Sequence, residues 1–147
     1  MSPADLHKYL HAHIPLSKAM EVAVVAIDRE FTCLRAPLQP NINHRETVFG
    51  GSASALAILA AWCLVHTRLT SDGINCRLVI QENSMSYDQP IQGEFFAISR
   101  LDNPQGWGRF LATLTRKGKA RVAVHASLEY RGQIVGSFKG EFVALGV

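Results

Sequence analysis

The segment from Ser52 to Val65, SASALAILAAWCLV, carries no charged side chain. Its Ala, Leu and Ile content favours a helix. Apolar residues fall on every face of it, with Leu56, Leu59 and Cys63 on one side and Ile58, Trp62 and Val65 on another. A helix that is apolar all round has to be covered all round. In a chain of 147 residues, that requirement dictates the architecture, because the remaining sequence must supply the wrapper. The run is shorter than the ~18–20 residues a membrane span needs, so a core helix and no membrane span are expected.

The wrapper is legible as strands. Met20 to Ile27 and Phe31 to Ala36 flank the polar turn Asp28-Arg29-Glu30 and read as an antiparallel pair. After the apolar segment come Cys76 to Tyr87, Gly93 to Leu101, Arg109 to Arg116, Arg121 to Tyr130 and Gln133 to Leu145. All five are strand-like by alternation or β-propensity. Turn-forming residues separate them, including Asp102-Asn103-Pro104, Lys117-Gly118-Lys119 and Arg131-Gly132. Short links favour antiparallel meanders. The expected fold is α+β, one curved antiparallel sheet wrapped around a long central helix, with residues 1–147 as a single domain. At the N-terminus, Ser2, Pro3 and Asp5 form a helix-start signal for a helix over about Asp5 to His11 that stops before Pro15.

Charge and cysteine content narrow the function. The net charge of +3 is small and scattered, which argues against a nucleic-acid partner. Cys33, Cys63 and Cys76 are odd in number and far apart, so neither a disulfide framework nor a zinc site is indicated. His7, His11 and His13 lack a carboxylate or cysteine to complete a metal set, and a solvated helix face is the better reading. With no apolar leader at the N-terminus, a reducing, cytoplasmic location is expected.

The chemistry concentrates in Asn43-His44-Arg45-Glu46-Thr47-Val48-Phe49-Gly50-Gly51-Ser52, which runs straight into the apolar helix. Two glycines at a helix start admit close approach of another backbone or a ligand. The first-turn N–H groups have no intrahelical partners, and the dipole adds positive charge. Such a tip suits a carbonyl oxygen that becomes an oxyanion. A Gly-rich turn that merely packs the helix against the sheet fits the same spacing.

The pattern N-x-x-x-T-x-F-G-G-S, followed by a long apolar helix and Y-D-Q-P-I-x-G-E, resembles the hotdog-fold acyl thioesterases. Within them it is most similar to the family named for the YiiD C-terminal domain. Asn43, Thr47, Phe49, Gly50, Gly51, Ser52, Tyr87, Pro90 and Gly93 carry the likeness. The resemblance implies a hotdog fold, a homodimer or dimer of dimers with active sites at the subunit interface, and hydrolysis of acyl thioesters of coenzyme A or a carrier protein. No cofactor is implied apart from the coenzyme A or carrier that forms part of the substrate. Asn43 matches the residue that orients substrate or water, and Gly51 the glycine whose N–H polarises the carbonyl. Thr47, Phe49, Gly50, Ser54 and Tyr87 are then candidates for binding substrate.

One departure weighs on the mechanism. Relatives often carry an acid one to two turns into the helix, whereas that position here is Ile58, and no acid occurs from Ser52 to Val65. The base has to come from elsewhere, and the candidates are Glu46, His44, Glu82 or Asp88 from across a dimer, or Asn43 acting through water. Ser52 and Ser54 offer hydroxyl donors, with helix capping or back-bonding the better reading of Ser54. His125 is expected on the solvent side of its strand. Arg116, Lys117, Lys119 and Arg121 crowd one turn that suits phosphates or simply solvent. Trp107 closes an acyl tunnel or packs on a neighbouring subunit. Missing its helix acid, the domain has an alternative role as a non-catalytic acyl-binding domain.

Overall fold

The computed structural model describes residues 1–146. The chain runs α1 (Pro3–His13), α2 (Pro15–Ala19), β1 (Ala23–Ile27), β2 (Thr32–Ala36), α3 (Gly50–Ser71), β3 (Arg77–Tyr87), β4 (Phe95–Leu101), α4 (Trp107–Lys117), β5 (Lys119–Tyr130) and β6 (Gln133–Leu145). The six strands form one antiparallel sheet in the order β1-β2-β4-β5-β6-β3. The sheet packs on α3, whose Leu56, Ala57, Ala60, Ala61, Cys63, Leu64 and Val65 are fully buried. The wrapper demanded by the apolar segment is therefore present. Sheet and helix are also tied by hydrogen bonds: the buried Ser99 hydroxyl donates to the Ala60 carbonyl at 2.7 Å, and the Trp62 indole to Leu78 O at 3.0 Å.

Four features depart from the sequence reading. First, α3 extends well past Val65 to Ser71, so at 22 residues it is long and apolar enough to cross a membrane by length and composition. Its burial against the sheet makes it the core helix instead. Second, Arg109–Arg116 is helical, not a strand. Trp107, Phe110 and Leu114 recur at helical spacing and are the buried residues of α4, and Gly118 closes it in the left-handed conformation (φ 70°). Third, β3 does not pair with β4. It lies beyond β6, at one edge, with Arg77 opposite Leu145 and Tyr87 opposite Gly136. Gly136 permits the approach, since a Cβ there would lie 2.8 Å from the Ser86 carbonyl oxygen. Fourth, Pro15 starts a short second helix, and the first one already begins at Pro3. The Ser2 cap is present as expected, with Ser2 and Asp5 exchanging two bonds of 3.1 Å.

Helix α1 lays Leu6 and Leu10 into the core and Tyr9 over α3. His66 stacks on both Tyr9 (ring centroids 4.9 Å) and Trp62 (4.5 Å), which stack on each other at 6.2 Å, and its buried Nε2 has no partner among the described residues. Burial pushes its pKa below the ordinary imidazole value. A depressed folded-state pKa means that the unfolded chain binds the extra proton first, so stability is full above about pH 6.5 and is lost as pH falls through the folded pKa. Thermal melts of the wild type are expected to drop by several degrees between neutral pH and pH 5. His66→Gln should flatten that dependence; an unchanged slope in the variant would assign it elsewhere, His7 being the other imidazole shifted the same way.

Candidate functional site

The segment before α3 is held in shape by its own polar groups. Buried Asn41 donates to the carbonyls of Met20 (3.0 Å) and Pro37 (2.8 Å), and its own carbonyl accepts the Phe49 N–H at 2.8 Å. The Asn43 side-chain oxygen accepts the N–H groups of Arg45 (2.8 Å) and Thr47 (3.1 Å), while its amide donates to the Thr47 hydroxyl at 2.9 Å. This is an Asx-type turn, the local backbone mimicry to which Asn is suited. Glu46 sits within it at φ 63°, exposed. Val48 N–H bonds Ile91 O at 2.8 Å, joining the turn to the segment that leads into β4.

Phe49 then caps α3 with φ −58° and ψ 133° and makes no side-chain cap bond. The N–H groups of Ser52 and Ala53 return to the Phe49 carbonyl at 2.9 and 3.0 Å. Among the described residues, no acceptor receives the N–H of Gly50 or Gly51. Two free donors thus stand at the positive end of a 22-residue helix dipole. Aromatic rings flank them. A Cβ on Gly50 would lie 3.6 Å from the Tyr87 ring, and one on Gly51 would fall 2.4 Å from the Phe49 ring and displace it. Phe49 and Tyr87 are 58% and 57% exposed.

The tip opens on a cleft of about 300 Å³ lined by Val48, Gly50, Ala53, Tyr87, Asp88 and Ile91, among others. Of the residues singled out from sequence, Gly50, Tyr87, Asp88 and Pro90 line this cleft, whereas Phe49 and Gly51, the chain neighbours of Gly50, are not part of its lining. Asp88 arrives from within the same chain, at the end of β3, and accepts the Ser86 hydroxyl at 2.6 Å. Asn43, His44, Glu46 and Thr47 do not line it and belong to the turn behind it. Ser52 is half-buried, and the Ser54 hydroxyl back-bonds to Gly51 O at 3.1 Å. Ile58 is half-buried against the core. Glu82 lies opposite Glu141 in the β3–β6 register and does not line the cleft. Preorganised donors, an apolar wall and a carboxylate in one cleft are the elements needed to stabilise a developing oxyanion and to handle a proton.

At the opposite end of α3, sequence reasoning missed a polar network. Asp72 pairs with Arg29 at 2.9 Å and accepts the Trp107 indole N–H at 2.7 Å, while Arg68 stacks on the Trp107 ring (4.4 Å) and donates to the Arg29 carbonyl. Trp107 is therefore a buried partner within its own chain. His125 is bonded to Asp102 at 2.7 Å, on the outward side of β5 as expected. Arg116, Lys117, Lys119 and Arg121 are all exposed.

A long helix wrapped by an antiparallel sheet, with an open glycine tip, defines the hotdog class. Its solved neighbours agree with that assignment. A protein of unknown function from Chlorobaculum tepidum TLS superposes with TM-score 0.91 at 28% identity, covering 99% of this chain and 98% of its own. A "putative thioesterase" from Shewanella oneidensis superposes with TM-score 0.83 at 24% identity, over 97% and 96% of the two chains. A thioesterase from Haemophilus influenzae shares the fold with TM-score 0.80 at 9% identity, over 99% and 92%. Residues 3–146 match the model of the family described as "Putative thioesterase (yiiD_Cterm)", and the chain belongs to that family.

Proposed function

We propose that the protein hydrolyses acyl thioesters of coenzyme A or of a carrier protein at the glycine tip of α3. The observation that carries this reading is the pair of unacceptored N–H groups on Gly50 and Gly51, at a helix start beside a cleft that Gly50 lines, in a thioesterase family member. The substrate carbonyl oxygen sits against these donors, with the Gly51 N–H as polariser and Gly50, Phe49 and Tyr87 framing the acyl group. Water adds to the carbonyl carbon, the C–S bond breaks, and the products are a carboxylic acid and a thiol. Asp88 takes the proton from water and returns it to the departing sulfur. It is assigned this role ahead of Glu46 because it lines the cleft. Asn43 and Thr47 act by holding the turn that aims the tip, and Ser52 adds a hydroxyl at the first helical turn. The three free thiols suit a reducing compartment.

The working unit is a homodimer or dimer of dimers, with the cleft completed by the partner. Strand β3 supports this: it is an eleven-residue edge strand with Val79 and Tyr87 about half exposed, and an unpaired edge of that length favours addition of another strand. Light scattering is expected to give at least twice the 16.2 kDa chain mass. A monomer at micromolar concentration would remove the shared-site part of the reading.

The lack of any acid on α3 favours one other reading, an acyl-binding domain without turnover. Thiol-release assays over acyl chains of varied length, on coenzyme A and on carrier protein, separate the two. Release at a rate that tracks enzyme concentration supports hydrolysis. Thermal stabilisation by acyl-CoA without release supports binding alone.

A further inference from the structure

The network at the far end of α3 surrounds a second cavity, of about 220 Å³, lined by Arg29, Glu30, Arg68, Arg100, Pro104 and His125. Arg68 lies eighteen residues along the helix from Gly50, or roughly 27 Å at ~1.5 Å per residue, so this cavity is separate from the thioester cleft. We infer that it is a binding site for a small phosphate-bearing molecule, held by the guanidinium groups of Arg29, Arg68 and Arg100.

Three arginines reach the cavity from three elements: the β1–β2 turn, the last turn of α3, and the end of β4. Of the three, only Arg29 is paired with a carboxylate among the described residues. Asp72 is already engaged by Arg29 and by the Trp107 indole. Asp102 is taken by His125. Arg100 has the Phe31 ring (5.2 Å) and no carboxylate partner among the described residues. Glu30 supplies one rim acid. Arg68 is nine-tenths buried, and its buried Nε–H has no acceptor among the described residues. A buried, unpaired donor on a cation is costly, and added negative charge beside the guanidinium offsets part of that cost. Burial, together with repulsion from Arg29, pushes the Arg68 pKa down, with Asp72 opposing.

The walls are already organised for such a ligand. Arg68 is fixed by stacking on Trp107 and by its bond to the Arg29 carbonyl. The Asp28 carboxylate holds the turn by accepting the N–H groups of Glu30 (2.7 Å) and Phe31 (2.9 Å). With the Arg29 fork engaged by Asp72, the guanidinium groups of Arg68 and Arg100 beside it suit the several oxygens of a phosphate better than a single carboxylate, which one fork satisfies. The cavity exceeds the ~150 Å³ that admits a benzene-sized guest, so a phosphate with an organic substituent has room.

The test is calorimetric titration of the full chain with inorganic phosphate, pyrophosphate and adenosine 3′,5′-bisphosphate at matched ionic strength. One saturable site per chain is expected for at least one probe. The strongest binder tells a free phosphate from a phosphoryl group on a larger molecule. Arg100→Gln, at an exposed position that does not threaten the fold, should weaken that binding at least tenfold. Arg45→Gln, an equal loss of charge on the turn before α3, should leave it unchanged. Absence of saturation by about 10 mM with all three probes, or equal weakening by both variants, would overturn the assignment. None of these readouts requires thioester hydrolysis, so the site stands or falls independently of that activity.

Discussion

Replacing Gly50 by proline is expected to leave the fold standing and to lower acyl thioester hydrolysis about 10²–10³-fold. Gly50 is the first residue of α3, where proline is well tolerated because the N–H it lacks has no intrahelical partner. The residue before a proline must be extended, and Phe49 already is, at φ −58° and ψ 133°. A Cβ at position 50 meets the Tyr87 ring at an ordinary 3.6 Å. The change therefore removes one donor from the cleft without removing a helical hydrogen bond. Stability should hold or rise by about 0.4–1 kcal/mol through a stiffer unfolded chain. Gly50→Ala keeps the N–H and nearly the same contact, so it should retain most activity. Hydrolysis by the proline variant within a few-fold of wild type would take the Gly50 N–H out of the chemistry.

Asn43→Ala should lower turnover at least tenfold, by a different route. Its side chain ties three points of the turn, and alanine leaves the Arg45 and Thr47 N–H groups without their acceptor. A loss near 1 kcal/mol per abandoned bond is typical, so a lower melting temperature is expected alongside the lower turnover. Asn43→Asp discriminates between roles. A carboxylate still accepts both N–H groups, and the Thr47 hydroxyl is able to donate to it. If Asn43 acts by shaping the turn, the Asp variant keeps stability and most of the activity. If the amide itself touches substrate or water, stability returns but turnover does not. An alanine variant with wild-type turnover would exclude both.

The fold was legible where burial forces a pattern. The uncharged stretch from Ser52 to Val65 could only be a wrapped helix, and the alternation in β4, β5 and β6 marked the strands that wrap it. It was not legible where two patterns coexist. In Trp107–Lys117, the β-propensity of Phe110 and the threonines masked the recurrence of Trp107, Phe110 and Leu114 at helical spacing, which is the face that packs. The edge position of β3 was invisible because strand order is set by long-range packing, and short links suggested sequential neighbours instead.

For the site, glycines before an apolar helix pointed to the tip, and the N-x-x-x-T spacing marked the turn that the Asn43 side chain holds. That Asp88 enters the cleft from its own chain depends on where β3 ends against Gly136, which no local pattern encodes. The arginine cavity was missed for the same reason, since Arg29, Arg68 and Arg100 are far apart along the chain and meet only in the folded molecule.

The out-of-order strand has a kinetic corollary. Tyr87 and Asp88 are anchored through β6, and Asp88 N–H closes on Val135 O, so one wall of the cleft waits for the final hairpin to dock. Pairings between segments so distant in sequence form slowly. In a lone chain, with no partner strand added there, the same edge is the natural place for partial opening, detaching β3 while the helix and the other strands stay folded. Amide exchange faster along Ser84–Tyr87 than along β5 would be the signature of a cleft wall that assembles last and breathes first.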